Sequence, residues 1–243
     1  MPEQRSYFPE RFRILSGSGL KVLALFAMLV DHSAIAFSPL LGRYLFTLFS
    51  IRFTPYVLLR GFGRIAFPIF CFLLAEGYRH TRDRLRYALG LLAFALISEL
   101  PYDLFNKGAF SLAHQNVFFT LLLGFLGIWA LEHHRDEPGK GTLLALALFG
   151  VSLFLKADYS WAGYCFILLT YLVAQYPVAQ LFSGVCLLGW PAGVALAYIP
   201  IGLYNGKRGF IRGPVLKYAC YAFYPLHLLL LWQIHLRLFG YGT

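Results

Sequence analysis

Acidic side chains are scarce in this chain of 243 residues: eleven Asp and Glu stand against 21 Lys and Arg, and charged residues make up only 13% of it. Soluble domains carry about 25%, so a water-facing surface of ordinary extent is excluded. Cysteines number four, Cys71, Cys165, Cys186 and Cys220, each inside an apolar stretch without metal-ligand spacing or a polar loop to hold a disulfide. They read as small core residues. No Walker sequence and no glycine-rich nucleotide fingerprint occurs, and no His, Cys, Asp and Glu grouping has metal-site spacing, so no metal is expected. Strict alternation of polar and apolar residues is missing too, which argues against spanning strands.

What the chain has in abundance is apolar surface, with 59% hydrophobic and 18% aromatic residues. Apolar runs of roughly 15–20 residues recur from Gly19 almost to the C-terminus, long enough for helices in a bilayer. Lipid offers backbone groups no water to bond, so the spanning elements should be helical. The expectation is an all-α, polytopic transmembrane helical bundle forming one domain over residues 1–243. About nine membrane segments are expected, at Gly19–Ser38, Phe62–Tyr78, Leu85–Leu104, Gln115–Leu131, Gly141–Leu155, Trp161–Gln175, Val178–Gly189, Pro191–Tyr204 and Pro214–Phe239.

The net charge of +10 reads as a topology signal and not as a nucleic-acid surface. Basic clusters at Arg5/Arg11/Arg13, Arg79/Arg82/Arg84/Arg86, Arg135/Lys140 and Lys207/Arg208/Arg212/Lys217 all fall on one side if the segments alternate, and that side should be the cytoplasm, with the N-terminus in it. The same rule splits residues 178–204 into a short broken pair at Trp190-Pro191, since a single crossing puts Lys207 and Arg208 outside. Leu41–Gly61, with Arg43, Arg52 and Arg60 among aromatic and aliphatic residues, reads as an external amphipathic segment on the membrane face.

Asp31 and His32 lie side by side deep in the first segment. A charged side chain near a bilayer centre costs about 2.5–3.5 kcal/mol on insertion scales, which makes the pair a site candidate by default. Rising 1.5 Å per residue, His32, Glu99 and His227 each lie roughly 20 Å into their helices from the cytoplasmic side, in one layer. Arg64 and the His114-Gln115-Asn116 run lie further out, with Asp103 and Asp158. A neutral imidazole can take a proton from a nucleophile, and a carboxylate can orient it. Asp31 is adjacent in sequence but points about 100° away, so Glu99 or Asp103 is an equal candidate; a structural hydrogen-bond network is the competing reading. Lys21 lies eleven residues before His32 on nearly the same helix face. It can share an elongated anionic ligand with that site or snorkel to headgroups as a flanking anchor. Asn205-Gly206-Lys207-Arg208-Gly209 is a short basic turn whose backbone N–H groups suit phosphate, or a topology marker alone.

Several stretches together resemble the TraX family of integral-membrane, pilin N-acetylase-like proteins. They are Leu20-Lys21 through Asp31-His32; Gly63–Phe70 with Glu76-Gly77-Tyr78; Ile97–Asp103; Gln115–Thr120; Ile199–Gly209; and Phe223–Leu228. The spacing from Lys21 to His32 is also similar, more distantly, to membrane acyltransferases that carry a basic residue, ten intervening residues and a catalytic His. Ala75-Glu76-Gly77-Tyr78 departs from the Ser-Gly-aromatic pattern common there. The resemblance implies a bacterial inner-membrane acetyltransferase with acetyl-CoA as acyl donor and a pilin N-terminus or cell-envelope glycan as acceptor. Lys21, Asn205, Lys207 and Arg208 would meet the cofactor. His32 would be the general base or would itself accept the acyl group, with Asp31, Glu99 and His227 near it and Arg64 or Asn116 facing the oxyanion. A proton-coupled transporter, or a non-enzymatic membrane assembly factor, are the alternatives.

Overall fold

The computed structural model describes residues 6–48, 51–189 and 191–240. Arg5 and Trp190, used in the charge and chain-break arguments above, lie outside the described residues. The described chain is helical apart from short turns and one hairpin: α1 (Gly17–Ala36), α2 (Pro55–Gly63), α3 (Ala66–His80), α4 (Arg84–Lys107), α5 (Val117–His133), α6 (Pro138–Leu155), α7 (Ser160–Leu172), α8 (Pro177–Leu188), α9 (Pro191–Gly202) and α10 (Gly213–Phe239). The hairpin joins β1 (Phe46–Leu48) antiparallel to β2 (Ile51–Phe53), with Thr47 opposite Arg52.

Among the described residues five units are long and apolar enough to cross a bilayer: α1, the run Pro55–His80 that contains α2 and α3, α4, α6 and α10. α5, α7, α8 and α9 are apolar but shorter. The protein is thus a multi-pass membrane protein; among the described residues five units reach spanning length, where about nine segments were expected. Its outward positions are apolar, as lipid contact requires: Leu85, Leu89 and Leu96 of α4, and Leu143, Leu146 and Phe154 of α6, are all exposed.

In α1 the buried stripe Leu20, Ala24, Ala27, Asp31 and Ala34 repeats at intervals of four and three residues, the spacing of one helix face. Its small side chains admit close neighbours. Residue 63 is the tightest contact: a Cβ there would lie 2.3 Å from Asp31 Cβ, so only glycine allows α2 onto α1. Leu41–Gly61 is therefore not solely a surface segment. Its last third is helix α2, packed on α1. Two residues, Arg64 and Ile65, interrupt the path into α3, because Pro68 has no N–H for the carbonyl of Arg64 one turn earlier.

Helices α1, α10, α4, α5 and α3 each pack on the next, and α3 returns to α1, so the five close a ring. α6 covers α5 from outside, while α7, α8 and α9 pack in series beside it. The start of α1 is clamped to the loop before α10. Gly17 N–H donates to the Lys207 carbonyl at 2.8 Å and Ser18 N–H to the Arg208 carbonyl at 2.9 Å, while Ser16 Oγ caps Gly19 N–H at 3.2 Å. The N–H groups a helix start normally leaves open are thereby used. Gly209, at φ +86°, sits so close to Ser16 that a Cβ would lie 2.3 Å from its Oγ.

Gly63→Ala is expected to push α2 off α1 and cost about 1–3 kcal/mol. Gly90→Ala, whose Cβ would meet nothing within 4 Å, should leave stability at or slightly above wild type. Thermal unfolding of the two variants in lipid nanodiscs checks the pair.

Candidate functional site

A cavity of about 680 Å³ runs inside the ring, touching α1 from Gly17 to Ile35. That stretch of helix is roughly 27 Å long, so the cavity extends along most of the bundle. Its two ends differ in chemistry.

One end is basic. Lys21 of α1, His80 in the last turn of α3, Arg208 of the clamped loop and Lys217 of α10 line it. The Lys217 ammonium lies 5.2 Å from the Tyr87 ring centre and 5.6 Å from that of Tyr221, a cation–π seat that holds the charge at the wall. Glu76 is the one carboxylate among the residues lining this end. It accepts from Arg79 at 2.5 Å.

The other end holds paired polar groups. Arg60 donates to Asp31 in a partly buried ion pair, and Arg64 donates to the Tyr159 hydroxyl at 3.1 Å. His32 meets another imidazole: its Nδ1 lies 2.7 Å from Nε2 of His227. His227 Nδ1 lies 2.7 Å from the Phe223 carbonyl oxygen, and the ring stacks on Phe223 at 4.9 Å. A carbonyl only accepts, so His227 Nδ1 carries the proton and its Nε2 is an acceptor. His32 Nδ1 must then donate to it, which leaves the lone pair of His32 on Nε2. Rings of Phe105 and Tyr224 meet the His32 ring edge-on at 5.6 and 6.1 Å.

The structure brings His32, His227, Asp31 and Arg64 to this end, and it corrects four expectations. Among the described residues no carboxylate bonds to His32; Asp31 is bound by Arg60, reached from the segment read as external. Glu99 is spent on Asn116, accepting from its N–H at 3.3 Å and its Nδ2 at 2.5 Å. Asp103 accepts from Ser111 N–H at 2.9 Å. Asn116 in turn donates to the Ala95 carbonyl at 2.7 Å and caps Phe118 N–H at 3.0 Å, so its amide is not free to face an oxyanion. Neither Glu99 nor Asn116 lines the cavity. At the basic end, Lys21 and Arg208 line it and Asn205 and Lys207 do not. Asn205 Oδ1 accepts from Lys207 N–H at 2.9 Å, shaping the turn.

Sequence reasoning passed over Arg60 and Tyr159. For Arg60 the signal was present, since a carboxylate in mid-helix calls for a cation at matching depth. Tyr159 carried none, because its position depends on a backbone turn. Among the described residues no group of three or more His, Cys, Asp and Glu is arranged to hold a metal.

Comparison with known proteins gives two matches. A family model described as "TraX protein" matches residues 16–235. The "Probable fimbrial assembly protein FimC, serogroup H1" of Dichelobacter nodosus is 31% identical over 243 residues, covering 87% of this chain and 92% of that protein. No solved structure matches.

Arg60→Met is expected to leave Asp31 without its guanidinium and cost about 3–5 kcal/mol. Adding Asp31→Leu should recover most of that loss, as read by unfolding midpoints of the single and double variants.

Proposed function

The chain belongs to the TraX family, and on that premise we propose that it is an integral-membrane acetyltransferase of pilus assembly, moving the acetyl group of acetyl-CoA to an amine or hydroxyl. The observation that carries the reading is the single cavity joining a cationic mouth to the His32 imidazole. By the excess of basic residues the mouth faces the cytoplasm of a bacterial inner membrane, with the N-terminus on the same side. Lys21, Arg208 and Lys217 suit the phosphates of a CoA thioester. The length of the cavity lets the thioester approach His32 while the nucleotide stays at the mouth.

His32 Nε2 is the base. It takes the proton of the acceptor amine or hydroxyl as that atom attacks the thioester carbonyl. The imidazolium is steadied by its Nδ1–H bond to His227, which Phe223 holds in the matching tautomer. Collapse of the tetrahedral adduct breaks the C–S bond, and the proton returns from His32 to the leaving sulfur. Arg64 brings positive charge to the wall on which the carbonyl oxygen becomes negative. His227 is a positioning residue for this step. The Dichelobacter relative, named as a probable fimbrial assembly protein, supports fimbriae as the destination, and a pilin N-terminus or an envelope glycan fits the same chemistry.

A transporter would use the same length of cavity, and one assay separates the readings. Purified protein in nanodiscs should release CoA from acetyl-CoA when hydroxylamine is supplied as a simple acceptor. His32→Ala should lower kcat about 10²–10⁴-fold, and Lys21→Glu with Arg208→Glu should raise KM with little change in kcat. Undiminished turnover in His32→Ala removes it as the base, and absence of acetyl-CoA binding by wild type removes the enzyme. Mass spectrometry of pilus and envelope fractions from cells with and without the protein should show an acetyl group lost at the acceptor.

A further inference from the structure

The loop between α6 and α7 contains three non-glycine residues with positive φ, Lys156 (47°), Tyr159 (63°) and Ser160 (43°). Each such conformation costs of order 1–3 kcal/mol and persists only where surrounding contacts over-determine it. Those contacts are present. Gln115 N–H donates to the Lys156 carbonyl at 3.4 Å and Asp158 N–H to the Gln115 carbonyl at 2.8 Å, while the Thr120 hydroxyl donates to the Asp158 carbonyl. The Tyr159 ring lies flat on Phe67, centres 3.7 Å apart and planes 3° apart. Behind it, a Cβ on Gly163 would lie 2.6 Å from Tyr159 Cβ. Main chain and ring are both fixed, and the purpose of that fixing has to lie at the end of the side chain.

That end is a hydroxyl, and Tyr159 lines the cavity that also holds His32. Arg64 Nη1 donates to its oxygen at 3.1 Å, so the hydroxyl's own proton points elsewhere, and no acceptor for it stands among the described residues. A phenol whose oxygen receives a guanidinium hydrogen bond gives a stronger bond through its proton. It is a donor whose oxygen is held in place by Arg64.

Resting on the acetyl-transfer reading above, we propose that the Tyr159 hydroxyl donates to the carbonyl oxygen of the bound acetyl thioester and holds the negative charge that forms there, with Arg64 as the positioning residue behind it. When the acceptor atom bonds to the carbonyl carbon, the π pair moves onto oxygen and the Tyr159 hydrogen bond shortens. The acceptor's proton goes to His32 Nε2. When the C–S bond breaks, the pair returns to the carbonyl, the sulfur leaves with the bonding pair and takes the proton from His32. Tyr159 ends the cycle as it began, still protonated. His32 and Tyr159 thus divide the work: one handles the proton, the other the oxyanion.

The test uses the full chain in nanodiscs with acetyl-CoA labelled with carbon-13 at the carbonyl. In isotope-edited infrared spectra of the wild type, the bound thioester carbonyl band should move to lower wavenumber than in free acetyl-CoA. In Tyr159→Phe, which keeps the ring on Phe67, it should return toward the free position with binding affinity within about threefold of wild type. With hydroxylamine as acceptor, kcat should fall about 10²–10³-fold in Tyr159→Phe with KM little changed. His32→Ala should keep the shifted band and lose turnover. Gly163→Ala, which displaces the tyrosine without removing its hydroxyl, should weaken the band shift and lower kcat less than Tyr159→Phe does. A band unmoved by Tyr159→Phe, or a kcat within about threefold of wild type, overturns the assignment and leaves acetyl transfer standing if His32→Ala is inactive. Wild-type protein that neither binds acetyl-CoA nor releases CoA overturns both together.

Discussion

A carboxylate in the middle of an apolar helix has to be answered by a positive charge at the same depth, and the pairing of Asp31 with Arg60 sets the geometry of that end of the cavity. To bring the guanidinium there, α2 must lie against α1, and the contact is close enough that residue 63 carries no side chain. Pro68 then ends the hydrogen-bond ladder at Arg64, so that the next arginine lies at the break between α2 and α3 and lines the cavity. One buried acid thus positions two arginines: the first neutralises it, and the second reaches Tyr159.

The opposite end is organised by backbone and not by charge. Main-chain bonds from Gly17 and Ser18 to the Lys207 and Arg208 carbonyls join the first and last helices of the ring. Because those N–H groups are already bonded, the helix start offers no anion seat of its own. Anion attraction rests on the side chains of Lys21, Arg208 and Lys217. All three border the cavity.

Most helices were readable in the sequence because lipid forces the matter: apolar runs of the right length have few alternatives, and the expected segments lie within a few residues of α1 and α4 through α10. What was not readable is who pairs with whom. Asp31 and Arg60 are 29 residues apart, His32 and His227 are 195 apart, and depth along a helix says nothing about which face turns inward. Depth placed Glu99 level with His32, yet Asn116 captures it. Asn205 looked like a ligand for phosphate because turn-forming and anion-binding residues share the same chemistry, and here the turn takes it. Tyr159 stayed hidden for a different reason: its place follows from left-handed backbone in the 156–160 loop, which no side-chain pattern announces.

The imidazole contact between α1 and α10 also bears on the order of assembly. His32 emerges early in synthesis and is threaded into the bilayer with its ring lacking the neighbour that fixes its tautomer. That neighbour comes almost at the end of the chain, on the helix that also closes the ring. Every shorter nascent chain therefore carries an imidazole whose proton is free to sit on either nitrogen. The pairing of the two imidazoles is completed only when the last helix docks.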